Sequence, residues 1–200
     1  MPHLRRPSLA RRYPVHVTLR VHAHVWNLRT RRCFRFIAPA FRAANRRGTF
    51  RLVEYSIQGN HLHLLVEADD ARCLARGLQS LEIRVAKGLN SLMRRRGAVF
   101  ADRYHAHILR TPTEVLNALR YVRGNFALHA LDRGEVMSDF IDPYSSAPAA
   151  AGRGPWPGSL REHDGPLIAP ASTWLLSRGW QRASPGWSRR RYDSPSMTRS

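Results

Sequence analysis

The sequence predicts an α+β protein with a ferredoxin-like antiparallel sheet, helices on one face of that sheet, and a basic, partly disordered C-terminal extension. Segments of strand length alternate with amphipathic segments in the order strand, helix, strand, strand, helix, strand, helix. The chain has 200 residues and is 43% hydrophobic, which is enough for one domain with a sizeable core.

The first half of the chain supplies three strands and a short helix. Residues 15–22 alternate apolar with polar side chains, as a half-buried strand does. Residues 39–47 open with proline and stop before a glycine, so they predict a short helix. Residues 50–57 predict a second strand, the turn sequence 58–60 predicts a hairpin, and residues 61–68 predict the antiparallel partner.

The next part of the chain, from residue 71 to about residue 129, supplies two helices and one strand. From Ala71 to Arg96, apolar residues recur at spacings of three and four, which predicts a long amphipathic helix ended by Gly97. Residues 104–110 predict another strand. Residues 111–114 read Thr-Pro-Thr-Glu, a helix start signal, and the helix is expected to run to about His129.

Three regions follow from this assignment. Residues 1–12 predict a disordered basic arm, and residues 13–131 predict the folded, catalytic domain. Residues 132–200 predict an extension, in which 145–158 is rich in Ala, Pro, Gly and Ser and is typical of a linker. Residues 170–180 predict one short helix that docks back on the domain before a basic tail.

The charge of the chain favours a polyanionic partner. Thirty-three basic residues stand against 14 acidic ones, and the formal net charge is +19. Such a field favours nucleic acid, although an arginine-rich composition alone could raise the count of basic residues. The polar face of the long helix carries the predicted phosphate contacts: Arg72, Arg76, Arg84, Lys87, Arg94 and Arg95.

Other features of the sequence bear on the cellular compartment of the protein. No apolar run reaches the length of a membrane span, so no membrane partner is expected. Cys33 and Cys73 lie 40 residues apart without a partner motif, which fits a reducing compartment. We therefore expect a cytoplasmic, nucleoid-associated protein.

Two histidines mark the third strand as a candidate site. Side chains alternate along a strand, so His61 and His63 point to the same face while Leu62 and Leu64 point to the other. Two imidazoles on one face of an apolar strand are costly unless something uses them, and a divalent metal is the simplest use. The spacing alone is a weak signal, because the chain repeats it at 22/24 and 105/107.

Tyr121 and Asn125 form the second candidate. They lie one helical turn apart and can face the same site. A phenol that attacks a phosphodiester gives a covalent phosphotyrosine, which preserves the energy of the cut bond for rejoining. The Asn125 amide oxygen could complete a metal's ligand set. Alternatively, Tyr121 is a packing aromatic and Asn125 is a helix-terminal cap next to Gly124.

Three segments together carry a resemblance to a known family. They are Gly59-Asn60-His61-Leu62-His63-Leu64-Leu65-Val66, Phe100-Ala101-Asp102-Arg103-Tyr104-His105 and Tyr121-Val122-Arg123-Gly124-Asn125. In this order and at these separations they resemble the HUH single-tyrosine transposases, in particular the REP-associated branch, over about residues 13–131. Residues 169–176 also resemble the tail that often follows this domain in such proteins.

The resemblance implies metal-dependent cutting and rejoining of single-stranded DNA, often at hairpins, through a 5′-phosphotyrosine. It implies that His61, His63 and Asn125 hold Mg²⁺ or Mn²⁺ and that Tyr121 is the nucleophile. Tyr104 is the alternative nucleophile, although it lies in a predicted strand without a polar residue four positions later. Relatives act as monomers or as homodimers.

Two other functions stay open at this point. One is a nucleic-acid-binding protein of the same fold without catalysis, which includes a domesticated or decayed transposase. The other is a metal hydrolase whose nucleophile is water. The chain departs from the family in Gly124, where a bulkier apolar residue is common, and in Phe126, where a proline often stands.

Overall fold

Four strands form one antiparallel sheet. A computed structural model describes residues 9–46, 48–132, 140–151 and 165–183, with the backbone alone for 126–132. The strands are β1 (Val15–Arg20), β2 (Phe50–Ile57), β3 (His61–Ala68) and β4 (His105–Ile108), and their order in the sheet is β2-β3-β1-β4. This strand order is that of a ferredoxin-like sheet, with β1 and β3 in the centre, and it confirms the predicted α+β class.

In the described part of the chain, six helical segments accompany the sheet. They are α1 (Arg31–Ala44), α2 (Ala71–Leu92), α3 (Pro112–Asp132), α4 (Ala147–Ala150), α5 (Trp174–Ser177) and a 3₁₀ helix (Gly179–Ala183). The prediction that the first helix starts at Pro39 is wrong. Thr30 is the N-cap, since its hydroxyl accepts a hydrogen bond from the Cys33 amide at 3.2 Å, and Pro39 lies inside α1.

The β2–β3 hairpin has the predicted bounds. Its turn closes where the Gln58 amide donates to the His61 carbonyl at 2.9 Å, and Ile57 pairs with Leu62. The pairing then continues along both strands with one irregularity between Leu52 and Glu54. This register fixes which side chains of the hairpin share a face.

The helices divide between the two faces of the sheet. α1 and α2 cover the face that carries the apolar residues Val17, Leu62, Leu64 and Val66. α3 packs on the opposite face, where its apolar residues meet Val53 and Leu65. The prediction of helices on one face therefore holds for α1 and α2 and not for α3. Leu65 is fully buried, so β3 is apolar on both faces and needs a cover on each.

Helix α2 ends four residues earlier than predicted. The Arg94 amide donates to the Ser91 carbonyl and the Arg95 amide donates to the Asn90 carbonyl, which together form a Schellman motif. Arg94 takes the left-handed position of that motif with φ 51°, a conformation usually given to glycine. Gly97, the predicted end signal, lies three residues further on, so Arg94 and Arg95 stand beyond the helix.

The N-terminal arm lies partly outside the described residues, since 1–8 are not among them. Leu9 is nonetheless buried in the core under α1 and α2. Arg11 pairs with Asp69 at 3.0 Å. Residues 9–12 are therefore attached to the domain.

The C-terminal extension contributes two ordered pieces. Residues 140–151 pack against β2, where the Ile57 amide donates to the Tyr144 carbonyl and the Ser146 amide donates to the Tyr55 carbonyl. Residues 145–151 are thus part of the folded domain rather than linker. The helical segments after residue 173 pack against α3. The sequence predicts a short helix that docks on the domain in this region, at residues 170–180. The rest of the predicted linker and tail, 152–164 and 184–200, lies outside the described residues.

Where the chain is described, we find no helix with the length and apolar character that crossing a membrane requires.

Candidate active site

Strand β3 places the histidine pair on the face covered by α3. His63 is buried with 5% exposure, and His61 is half-buried. Their ring centroids lie 4.6 Å apart and the rings are nearly perpendicular, at 87°. The two imidazoles therefore stand side by side, as the alternation of a strand requires.

Each imidazole has a polar neighbour at its Nδ1 atom. The Asn60 Oδ1 atom lies 2.7 Å from Nδ1 of His61. The Thr18 Oγ1 atom lies 3.2 Å from Nδ1 of His63, because Thr18 of β1 pairs directly with His63 of β3. Both neighbours come from the central part of the sheet and its hairpin turn.

Tyr121 of α3 reaches this pair. Its hydroxyl oxygen lies 3.4 Å from Nε2 of His63, and the two ring centroids are 4.9 Å apart. The phenol oxygen thus lies beside the nitrogen that a metal-binding imidazole would use.

Three local features set the position of α3. At its start, Thr111 and Glu114 form a capping box in which the Thr111 amide donates to the Glu114 carboxylate at 2.9 Å and the Glu114 amide donates to the Thr111 hydroxyl at 3.2 Å. In the middle, Val115, Leu119 and Val122 pack against the sheet. Near the active site, Arg123 of α3 forms an ion pair with Glu54 of β2.

Asn125 is almost fully buried on the same helix, with 1% exposure. Neither its amide oxygen nor its amide nitrogen has a hydrogen-bond partner among the described residues. A buried amide left in this state costs about 1–3 kcal/mol. Because α3 continues to Asp132, Asn125 is not the terminal cap of the helix.

His16 of β1 also belongs to the site, and the sequence analysis missed it. Its ring centroid lies 5.4 Å from that of His63 and 5.8 Å from that of Tyr121. Burial, and then the nearby His107 and His105, lower the pKa of His16 to about 4, so it is neutral at pH 7. The alternation of β1 could have identified it, since Val15 and Val17 face the core.

The pairing of β1 with β4 extends this set. His16 pairs with His107 and Thr18 pairs with His105, and paired residues share a face. Five of the ten histidines of the chain therefore lie on the α3 face of the sheet. They are His16, His61, His63, His105 and His107.

Tyr104, the alternative nucleophile, precedes β4 and is half-buried. It packs against the hydrophobic core that lies under α1 and α2. Tyr121 instead packs against the smaller core on the other face of the sheet.

The predicted phosphate contacts lie on the other side of the molecule. Arg72, Arg76, Arg84 and Lys87 are exposed on α2, which covers the sheet face opposite to Tyr121. Part of this surface is a shallow groove of about 460 Å³, whose lining includes three of these cations and Ile83. The structure therefore separates the basic surface of α2 from the histidine pair.

Two aromatic residues considered for base stacking have different positions. Phe34 is 1% exposed and belongs to the core. Trp26 is 46% exposed on the loop between β1 and α1. Both ends of this loop are hydrogen-bonded to the hairpin turn, since the Val21 amide donates to the Asn60 carbonyl and the Leu28 amide donates to the Gly59 carbonyl, each at 2.9 Å.

Within the described ranges, no group of three or more His, Cys, Asp and Glu side chains is arranged to hold a metal ion. The predicted ligand set is of another kind, because it combines the imidazoles of two histidines with the side-chain amide of Asn125. Its members reach the α3 face from two elements, β3 and α3.

The fold is similar to that of a solved structure. A REP-associated tyrosine transposase bound to a REP hairpin matches with a TM-score of 0.58 and 15% sequence identity, over 86% of this chain and 96% of the other. At this identity the likeness shows a shared fold. No protein-family model matches the chain, and no curated protein matches it.

Proposed function

We propose that this protein is a transposase-like enzyme that nicks and rejoins single-stranded or hairpin DNA through Tyr121 with the help of a divalent metal. The observation that carries the proposal is the 3.4 Å separation between the Tyr121 hydroxyl and Nε2 of His63. A nucleophile beside a candidate metal ligand is the arrangement that covalent phosphoryl transfer needs.

In the proposed reaction, the Tyr121 oxygen attacks the scissile phosphorus. A bond forms between that oxygen and phosphorus, and the bond from phosphorus to the 3′ oxygen breaks. The phenol loses its proton and the leaving 3′ oxygen gains one. A 3′ hydroxyl that attacks the phosphotyrosine reverses these changes, so strands are rejoined without an outside source of energy.

His61, His63 and Asn125 would hold the metal. The donor set fits, because Asn125 presents a buried amide oxygen without a partner and both imidazoles have a neighbour at Nδ1. When bound, the metal polarises the phosphate and stabilises the charge on the leaving oxygen. Two imidazoles suit Mn²⁺ at least as well as Mg²⁺, which prefers oxygen ligands.

The DNA would be held by charge and by stacking. The net charge of +19 attracts phosphates, and the α2 cations would contact backbone on the side of the sheet away from Tyr121. The exposed indole of Trp26, beside the turn that precedes His61, would stack on an unpaired base. We place this activity in the cytoplasm, at the nucleoid.

A single chain would suffice for catalysis. Arg123 holds α3 against Glu54 of the same chain, and Tyr121 reaches the histidines of its own sheet. Relatives act as monomers or as homodimers, and this arrangement within one chain favours the monomer.

The test is a search for the covalent intermediate. Labelled single-stranded hairpin DNA from the flanks of the gene is incubated with the protein and Mn²⁺ and run on a denaturing gel. We expect a shifted band that disappears in Tyr121→Phe and in His61→Ala. Tyr104→Phe is the matched control and should retain the band. Loss of a nucleophile lowers turnover by roughly three orders of magnitude or more.

Other outcomes separate the remaining functions. Cleavage without a covalent band in the wild type would assign the site to a hydrolase that uses water. Binding without cleavage, on flanks of related copies as well, would assign the chain to the non-catalytic binders. A band that survives Tyr121→Phe and disappears in Tyr104→Phe would transfer the nucleophile to Tyr104.

A further inference from the structure

We propose that Thr18 and Asn60 are positioning residues that hold His63 and His61 with the proton on Nδ1, so that Nε2 of each ring would be the atom that binds the metal. This inference rests on the proposed function for its purpose. The geometry behind it is the pair of Nδ1 contacts, 3.2 Å to Thr18 and 2.7 Å to Asn60.

The Asn60 contact determines the tautomer of His61. An amide oxygen can only accept a hydrogen bond, so Nδ1 of His61 must carry the proton and donate it. The backbone of Asn60 is held in the hairpin turn, because its carbonyl accepts from the Val21 amide at 2.9 Å. A neutral His61 then has its acceptor lone pair on Nε2.

The Thr18 contact is less one-sided, because a hydroxyl can donate or accept. His63 therefore has two self-consistent arrangements. If Nδ1 carries the proton, it donates to Thr18 while Tyr121 donates its hydroxyl proton to Nε2. If Nε2 carries the proton, Thr18 donates to Nδ1 and the Tyr121 oxygen accepts. Only the first arrangement gives His63 a lone pair on the side of the nucleophile.

Direct pairing across the sheet makes Thr18 an effective partner. Thr18 and His63 are opposite residues of the two central strands, and His61 lies next to Arg20 in the same register. The hydroxyl is thus held by backbone pairing on both strands. Partners of this kind fix ring orientation, and their loss lowers metal affinity about 10–100-fold.

The first experiment measures metal affinity by calorimetric titration of the purified full chain with MnCl₂. We expect Thr18→Val, which keeps the shape and removes the hydroxyl, to bind about 10–100-fold more weakly. Thr18→Ser, which keeps the hydroxyl, is the matched control and should stay close to the wild type. Equal affinities of Thr18→Val and wild type would overturn the role of Thr18. Thermal unfolding of both variants checks that they are folded.

The second experiment reads the tautomers without metal or DNA. Nitrogen-15 NMR of the imidazole rings at pH 8.5, above the ordinary histidine pKa of about 6.5, distinguishes a proton on Nδ1 from one on Nε2. We expect the Nδ1 form for both rings in the wild type. Thr18→Val should change the form of His63 and leave His61 as it was. A wild-type His63 with its proton on Nε2 would overturn the inference.

The two experiments also distinguish this inference from the proposed function. A wild-type chain that binds no Mn²⁺ contradicts the metal-dependent function, whereas the NMR result still decides the tautomers. A wild type that binds Mn²⁺ and an unchanged Thr18→Val contradict the positioning role alone.

Discussion

The two faces of the central strand β3 differ in chemistry although they come from the same eight residues. Leu62, Leu64 and Val66 face α1 and α2 and are fully buried among apolar neighbours. His61 and His63 face α3, on the side of Tyr121. Apolar burial stabilises the fold in proportion to area, while buried polar groups cost free energy unless they are paired. One face is therefore entirely apolar, whereas the other combines the buried Leu65 with the histidines of the candidate site.

The polar groups on the α3 face divide again into those that are paired and those that are not. Glu67 is fully buried, and its carboxylate accepts from Arg51 and from the Ser172 and Thr173 amides. Glu54 accepts from Arg123 and Ser146. Asn125 and Nε2 of His16 have no hydrogen-bond partner among the described residues. We expect the two paired carboxylates to maintain the fold and the two unpaired groups to serve the reaction.

The strongest test of this division is Glu54→Gln. Removing the charge of Glu54 breaks its largely buried ion pair with Arg123, and we expect a loss of about 3 kcal/mol in the free energy of unfolding. Chemical denaturation measures it. Asp69→Asn is the control, because the Arg11–Asp69 pair is exposed and should contribute less than about 1 kcal/mol.

Tyr121 should respond to the same change. If the Glu54–Arg123 pair positions α3, Glu54→Gln will also lower the yield of the covalent DNA band at temperatures where the protein is folded. If Glu54→Gln lost no more stability than Asp69→Asn, the Glu54–Arg123 pair would contribute no more to the fold than an exposed ion pair does.

His16 predicts a dependence on pH. Its folded pKa of about 4 lies below the usual 6.5, so between these values the unfolded chain binds a proton that the folded chain does not. The stability contributed by His16 is present above pH 6.5 and is lost as the pH falls toward 4. We expect a loss of roughly 2 kcal/mol from this source.

The measurement compares wild type with His16→Phe by urea unfolding at pH 7.5 and pH 4.5. The variant keeps an aromatic ring against Tyr121 and cannot titrate, so its stability should fall less between the two pH values. Equal falls for the two proteins would mean that His16 titrates normally and is not shielded by its surroundings.

Much of the fold could be predicted because its signals are local. The turn at residues 58–60 and the apolar runs beside it fixed both bounds of β2 and β3. The start of α1 was missed because Pro39 was given more weight than Thr30, the residue that caps the helix. The end of α2 was missed because Arg94, not a glycine, takes the left-handed position.

The site was predicted only in part, since some of its residues are brought in by pairing between distant strands. His61, His63, Tyr121 and Asn125 lie in recognisable segments. The alternation of β1 places His16 and Thr18 on the face away from the main core, but the residues of β3 that they meet depend on the register of β1 on β3, which no local pattern specifies. The packing of α3 on the face opposite to α2 likewise depends on contacts between distant segments, because the apolar residues of α3 bury Leu65 of β3.

Asn125→Leu tests whether the unpaired amide is retained for function. Leucine has a similar size and needs no hydrogen bond, so we expect the free energy of unfolding to rise by about 1 kcal/mol. Mn²⁺ affinity and the covalent DNA band should both fall. A variant that is less stable than wild type would mean that the Asn125 amide is satisfied in solution, and the contrast between paired and unpaired groups would then not hold.

Gly124→Ala has the smallest expected effect and addresses how firmly the α3 face holds its nucleophile. Gly124 lies inside α3 between Tyr121 and Asn125, and a Cβ atom there would meet nothing within 4 Å. Alanine should therefore stabilise the helix by about 1 kcal/mol without a steric cost. If Gly124→Ala raises stability and lowers the rate at which the band forms, then α3 must bend for Tyr121 to reach the phosphate. If the rate stays the same or rises, the helix presents Tyr121 as a rigid element, and the glycine has no role in the chemistry.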